Sequence, residues 1–217
     1  MRLSWGLVAS LAAMAGAAPI MAPQLLAFPY HARVGASEVW SEASLPQPAL
    51  DRVFARAAKL VASSPIARMP EGRHVFLTQG GWRWQWLTLG TSGAFAMTRA
   101  INEAIIVNRD DIATDRAWNG AALGGQRTIS GLIAHETCHG MERRRFGLTV
   151  DVSKPVSLRE GYCDYIARES SLSEADVAGL KARREAHPAL AYYDGRRHVA
   201  AALASNGNDV DALFTAD

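Results

Sequence analysis

Read from the amino terminus, hydrophobic and polar positions form an uncharged run first and then a succession of strand-like and helix-like periods. Leu3 to Phe28 carries no charge and consists mostly of Leu, Ala, Val, Ile and Met, with Arg2 ahead of it and Pro19 and Pro23 interrupting it. Such a run predicts either a cleaved signal peptide, with Ala15-Gly16-Ala17 as the cleavage candidate, or an uncleaved transmembrane anchor. The apolar tail from Ile20 to Phe28 favours the anchor. With residues 1–30 set aside, residues 31–217 are expected to form one domain. Ala32 to Trp40 reads as a strand. From Pro46 and Pro48 onward, Leu50, Val53, Phe54, Ala57, Leu60 and Val61 recur at helical spacing until Ser63-Ser64-Pro65.

Arg73 to Thr78 is strand-like, Gln79-Gly80-Gly81 is a turn, and Trp82, Trp84 and Trp86 alternate strictly, which predicts a hairpin with one buried side. Gly93 to Thr98 and Asn102 to Val107 predict further strands. Asp110 to Gly125 is a polar, Gly-rich approach to the next helix, expected to bend and to line a cleft. Ile129 to Arg143 reads as a helix capped by Thr128 or Ser130 and stopped at Gly147, with Arg143, Arg144 and Arg145 where the helix dipole favours positive charge. Leu148 to Leu158 reads as a loop or short strand. Ser171 or Ser173 caps a helix running to Arg184, and a last helix spans about Leu190 to Ser205, ended by Asn206-Gly207.

Composition adds limits. A chain of 217 residues with 49% hydrophobic content can bury a substantial core, and a net charge of +2 with scattered arginines gives no basic patch for nucleic acid. The single Arg before the apolar run places the remainder outside the cytoplasm by the positive-inside rule, in a periplasmic or secreted setting.

The chemistry concentrates in His135-Glu136-Thr137-Cys138-His139. Two histidines four apart stand about 40° from each other on a helix, so both imidazoles can reach one zinc ion. Glu136 stands about 100° round from His135, where it can reach a water at the metal without being a ligand, as a general base requires. A third ligand is available about one turn apart in Glu160 or Asp164, of which one can bind metal while the other orients an imidazole. A third histidine six after His139 is excluded, since that position is Arg145.

His135-Glu136-x-x-His139 followed by Glu160-x-x-x-Asp164 resembles the gluzincin metallopeptidases, the thermolysin-like group. Leu158-Arg159-Glu160-Gly161-Tyr162 is similar to the Glu-Gly-aromatic motif of zinc aminopeptidases in that superfamily. The resemblance covers about Thr128 to Ala167. It implies an α+β zincin-like fold, with a small mixed or antiparallel sheet over the motif helix and a helical C-terminal half. It implies Zn2+ on His135, His139 and Glu160, Glu136 as base, Asp164 as the partner of His135, and a peptide or protein substrate.

In that family an edge strand near the metal helix pairs with substrate, and Ala104 to Asn108 is the candidate here, with an interior strand as the equal alternative. The last helix is the expected source of the donor to the developing oxyanion, with Tyr193 and Arg197, four apart on one face, as the leading pair. Cys138 and Cys163 each precede a site residue, and are expected either to form a disulfide or to pack as buried thiols. The alternative function is a zinc-stabilised extracytoplasmic binding or assembly module that cleaves nothing.

Overall fold

The computed structural model describes residues 5–215. It is an α+β chain in which a small mixed sheet lies on one side of a long buried helix and a set of helices lies on the other. The apolar amino-terminal run forms α1 (Trp5–Met21), 17 residues with Pro19 inside, and a 3-10 turn follows at Pro23–Leu26. Among the described residues no helix is long and apolar enough to cross a membrane. The base of α1 is fastened to the body: Asn102 Nδ2 donates to the Met21 carbonyl at 2.8 Å, and Arg83 donates to the carbonyls of Leu26 and Ala27 at 2.9 and 3.0 Å.

The single strand expected over Ala32 to Trp40 is instead a hairpin of β1 (Tyr30–Val34) and β2 (Ser37–Ser41). Gly35 turns the chain at φ 56°, a left-handed angle that a glycine adopts without steric cost. Then come α2 (Gln47–Val61) and β3 (His74–Leu77), both inside the ranges the periodicity predicts.

The three tryptophans do not form a hairpin. They lie on α3 (Trp82–Leu87), which buries Trp84 and Leu87, three apart, and exposes Trp82 and Trp86. The Trp84 indole donates to the Thr91 carbonyl at 3.1 Å, which satisfies its buried N–H. Over six residues an alternating pattern and a helical one overlap, and packing of Trp84 and Leu87 against Phe76 and Ile106 decides for the helix.

The sheet is completed by β4 (Ala96–Thr98) and β5 (Ile105–Val107), in the order β1-β2-β3-β5-β4. β2, β3 and β5 run parallel and buried, while β1 and β4 are antiparallel to their neighbours. Of the two alternatives for Ala104 to Asn108, the interior strand is the one observed, since β5 is paired on both sides, and the edge belongs to β4. The polar approach after it is not irregular: it holds a second antiparallel sheet of β6 (Arg109–Asp111), β7 (Arg116–Trp118) and β8 (Gln126–Arg127).

Helix α4 (Ile129–Phe146) carries the motif and is buried on every side from Ile129 to Glu142. Its N-terminal half packs with α2 against the sheet through Ile129, Leu132, Ile133, Val53, Val75 and Val107. Its C-terminal half packs through Ala134, Cys138 and Met141 against the helices that follow. Thr128 caps it, its hydroxyl accepting from Gly131 N at 3.0 Å, and Gly147 ends it. The segment expected as loop or short strand contains the one-turn helix α5 (Val150–Ser153). After it come α6 (Val156–Ala167), α7 (Glu174–Ala182) and α8 (Ala189–Ser205), with α9 (Val210–Thr215) closing the core through Phe214. Ser173 makes a reciprocal capping box with Asp176 at the start of α7.

α6 and α8 cross in backbone contact. A Cβ at Gly161 would lie 2.4 Å from the Gly195 carbonyl carbon, and one at Gly195 would lie 2.2 Å from the Ser157 oxygen. The glycine after Glu160 is thus required by the helix behind it.

Candidate metal centre

α4 and α6 pack side by side, and their facing turns bring His135, His139 and Glu160 together with ligand atoms all within 4.8 Å. Glu160 Oε2 lies 3.1 Å from His135 Nε2 and 3.6 Å from His139 Nε2. The imidazoles meet edge to face at 83°, with centroids 4.9 Å apart. Each ring is held from behind through its other nitrogen. His135 Nδ1 lies 2.8 Å from Asp164 Oδ1, and His139 Nδ1 lies 3.3 Å from Glu142 Oε2 and 3.5 Å from Cys163 Sγ. A carboxylate on Nδ1 fixes the tautomer that leaves Nε2 as the free lone pair, which is the arrangement a zinc-ligating histidine needs.

Asp164 is itself anchored. It accepts from Arg127 Nη2 at 2.8 Å and from Ser170 Oγ at 3.0 Å. Burial raises its pKa, but Arg127 and His135 outweigh that and hold the carboxyl below its ordinary value. Glu169 steadies Arg127 Nε at 3.3 Å and also accepts from the Thr128 hydroxyl at 2.9 Å, so the cap of α4 and the support of His135 share one carboxylate. For His135, burial lowers the pKa, yet the hydrogen bonds to Asp164 and Glu160 carry it up to about 9 without metal. For Glu160, burial acts upward and the two histidines pull its pKa far down. Burial raises the pKa of Glu142, against the pull of His139, and its Oε1 has no partner among the described residues.

Glu136 lies beside this group and is not in it. Thr98 Oγ1, at the end of β4, sits 2.6 Å from Glu136 Oε2 and 2.8 Å from the Glu136 carbonyl oxygen. The base candidate is therefore tethered to the edge strand. A cleft of about 580 Å³ opens over the site, bounded by Gly93 to Thr98 on one side and by His187, Pro188 and Tyr192 on the other. Its floor is Leu132, His135, Glu136, His139 and Arg143 along α4. That volume is in the range that accommodates a small ligand or a few residues of peptide.

The structure brings His135, Glu136, His139, Glu160 and Asp164 into one place. It does not bring Tyr193 and Arg197 there. Tyr193 is buried with Leu172, Val177 and Leu180, and Arg197 lies over its ring, 5.9 Å from the centroid. On α8 the residues that line the cleft are Ala189 and Tyr192, of which Tyr192 carries a hydroxyl. Burial, followed by the charges of Glu160 and Asp164, raises its pKa and keeps its hydroxyl a donor.

Cys138 and Cys163 are free thiols with no exposed surface, so the packing alternative describes them and the disulfide does not. With Glu142 they place a second set of ligand atoms within 4.8 Å of one another, behind His139 and away from the cleft lining. Thr98, Arg127 and Glu142 are site residues that the sequence reading did not single out. Glu142 had a usable signal, a carboxylate three residues after His139 on one helix. Thr98 and Arg127 had none, because strand and helix pairing alone brings them in. The chain has no match among protein-family models, curated proteins or solved structures.

Proposed function

We propose that the chain is a zinc-dependent hydrolase of the zincin type, acting on a peptide bond, with Zn2+ held by His135, His139 and Glu160. The observation that carries this reading is the convergence of those three donors beside a fourth group, Glu136, that faces the same cleft without joining them. The donor set fits zinc: two nitrogens and one carboxylate oxygen, each imidazole oriented from behind, with space in the cleft for a fourth position. Bound there, zinc would polarise a carbonyl and lower the pKa of a water.

Glu136 takes the proton of the attacking water at its carboxylate and returns it to the leaving amine. The Tyr192 hydroxyl donates to the oxygen on which charge develops. β4 offers the unpaired backbone of its outer edge to an extended substrate, and its position along the cleft suits β-augmentation. Asp164 and Glu142 hold the imidazoles in register. A zinc-stabilised module without activity is less well supported, because such sites close the fourth position with protein. The metal-ligating set around Glu160 has three members among the described residues. An extracytoplasmic location, with the uncharged N-terminal run as a signal segment, belongs to the same proposal and rests on that run's composition.

Elemental analysis beside a peptide-hydrolysis assay tests the reading. Wild type and Glu136→Gln should carry about one zinc per chain while only wild type cleaves, and Glu160→Ala should lose the metal. Undiminished hydrolysis by Glu136→Gln would remove that residue from the base role, and zinc bound equally without Glu160 would break the ligand assignment.

A further inference from the structure

The cleft continues along α4 past the metal-binding pair to Arg143, one turn beyond His139 on the same face, and there it meets Arg159 and Asp151. Arg143 Nε donates to Asp151 Oδ2 at 2.8 Å, and Arg159 Nη1 lies 3.8 Å from Asp151 Oδ1. Two guanidiniums thus stand beside one carboxylate, whose Oδ1 has no hydrogen-bond partner among the described residues. Neither arginine is well solvated, since their side chains are only 9% and 12% exposed. Arg143 Nη1 is buried without a partner among the described residues. A poorly solvated guanidinium with an unused N–H at the wall of a cleft gains from an acceptor that joins it.

We infer that this end of the cleft is a carboxylate-binding subsite, with Arg143 and Arg159 as the residues that select a substrate carrying a carboxylate near the bond to be cleaved; this rests on the peptidase reading above. A guanidinium presents paired N–H groups that match a carboxylate, and Arg is the side chain suited to that geometry. The spacing fits a peptide. Arg143 is about 6 Å along the helix from His139, and helical side chains lean back toward the N-terminus, here toward the metal site. An extended chain advances about 3.3 Å per residue, so the carboxylate falls one or two residues from the scissile bond. It can be a peptide's C-terminal carboxylate or the side chain of an Asp or Glu.

Calorimetric titration of the full chain, as Glu136→Gln so that nothing is cleaved, separates these. Three probes are used: an acetylated trialanine with a free C-terminus, its C-terminal amide, and an acetylated Ala-Glu-Ala amide. At least one acidic probe should bind about tenfold or more tightly than the neutral amide, and the acidic probe that gains identifies the source. The preference should persist in metal-free protein, disappear in Arg143→Met and Arg159→Gln, and survive in part in Arg143→Lys, which keeps the charge if Met disturbs folding. Equal binding of all three probes, absence of binding, or a preference that needs zinc and ignores both arginines would overturn the subsite. Hydrolysis of the neutral amide by the zinc-loaded wild type, measured in parallel, reports on the peptidase reading separately.

Discussion

Replacing Gly161 by Ala tests whether the close crossing of α6 and α8 positions the carboxylate proposed to bind metal. The new Cβ would meet the Gly195 carbonyl carbon at 2.4 Å, its oxygen at 2.7 Å and Arg196 N at 2.9 Å. Ordinary carbon contact begins near 3.5 Å, so the helices must part by about 1 Å, and the atoms that must yield are backbone. Overpacking of this kind costs about 1–3 kcal/mol and lies at the upper end when no flexible side chain can move aside. The helix propensity gained by Ala returns up to about 1 kcal/mol. The net expectation is a loss of about 2 kcal/mol, read as a lower urea midpoint for the metal-free chain.

Glu160 is the adjoining residue, and metal–ligand distances tolerate only about 0.2 Å. Zinc affinity, measured by competition with a chromogenic chelator, should therefore fall at least about tenfold. A variant that unfolds at the wild-type midpoint and binds zinc as well would show that the crossing neither is this tight nor places Glu160.

Asp110 gives a pH test outside the candidate metal centre. Burial, then the charges of Asp111 and Glu42, raise its pKa to about 8, and the Gln79 amide donates to it at 3.3 Å. The folded carboxyl keeps its proton up to that pH whereas the unfolded one loses it near 3.9, so this group's contribution is full below about pH 4 and declines as pH rises to about 8. Asp110→Asn should match wild type near pH 4 and exceed it by about 2 kcal/mol or more at pH 8; parallel profiles would contradict the burial argument. Cys138 and Cys163 are fully buried, and burial pushes the Cys138 thiol up to about 12. A thiol reagent should therefore label neither in the native chain and both after denaturation, and no labelling in either state would reveal a disulfide.

What the sequence discloses about this protein follows the range of each signal. α4 is legible end to end because its cap, its stop and its two histidines are local, and the same holds for α2, for the Ser173 box of α7 and for α8. Spacing that repeats on two helices leaves Glu160 and Asp164 as alternatives beside the histidines, and only the resemblance to gluzincins favours Glu160. Strand order is not local: β4 is an edge and β5 an interior strand because β5 can pair on both sides, which nothing in Ala104-Ile105-Ile106-Val107 reveals. The choice among Tyr192, Tyr193 and Arg197 depends on how α8 is rotated about its axis, and the Gly161–Gly195 contact sets that rotation.

The hydroxyl of Thr98 has one proton and two oxygens of Glu136 within reach, at 2.6 and 2.8 Å. Turned toward Oε2, it holds the carboxylate in one orientation; turned toward the carbonyl, it leaves that carboxylate free to swing within the cleft. Because Thr98 ends the strand whose outer edge is open, a chain laid along β4 bears on the residue that carries this rotor. The orientation of the Glu136 carboxylate would thereby be linked to whether that edge is occupied, through a single bond rotation and without displacement of any helix.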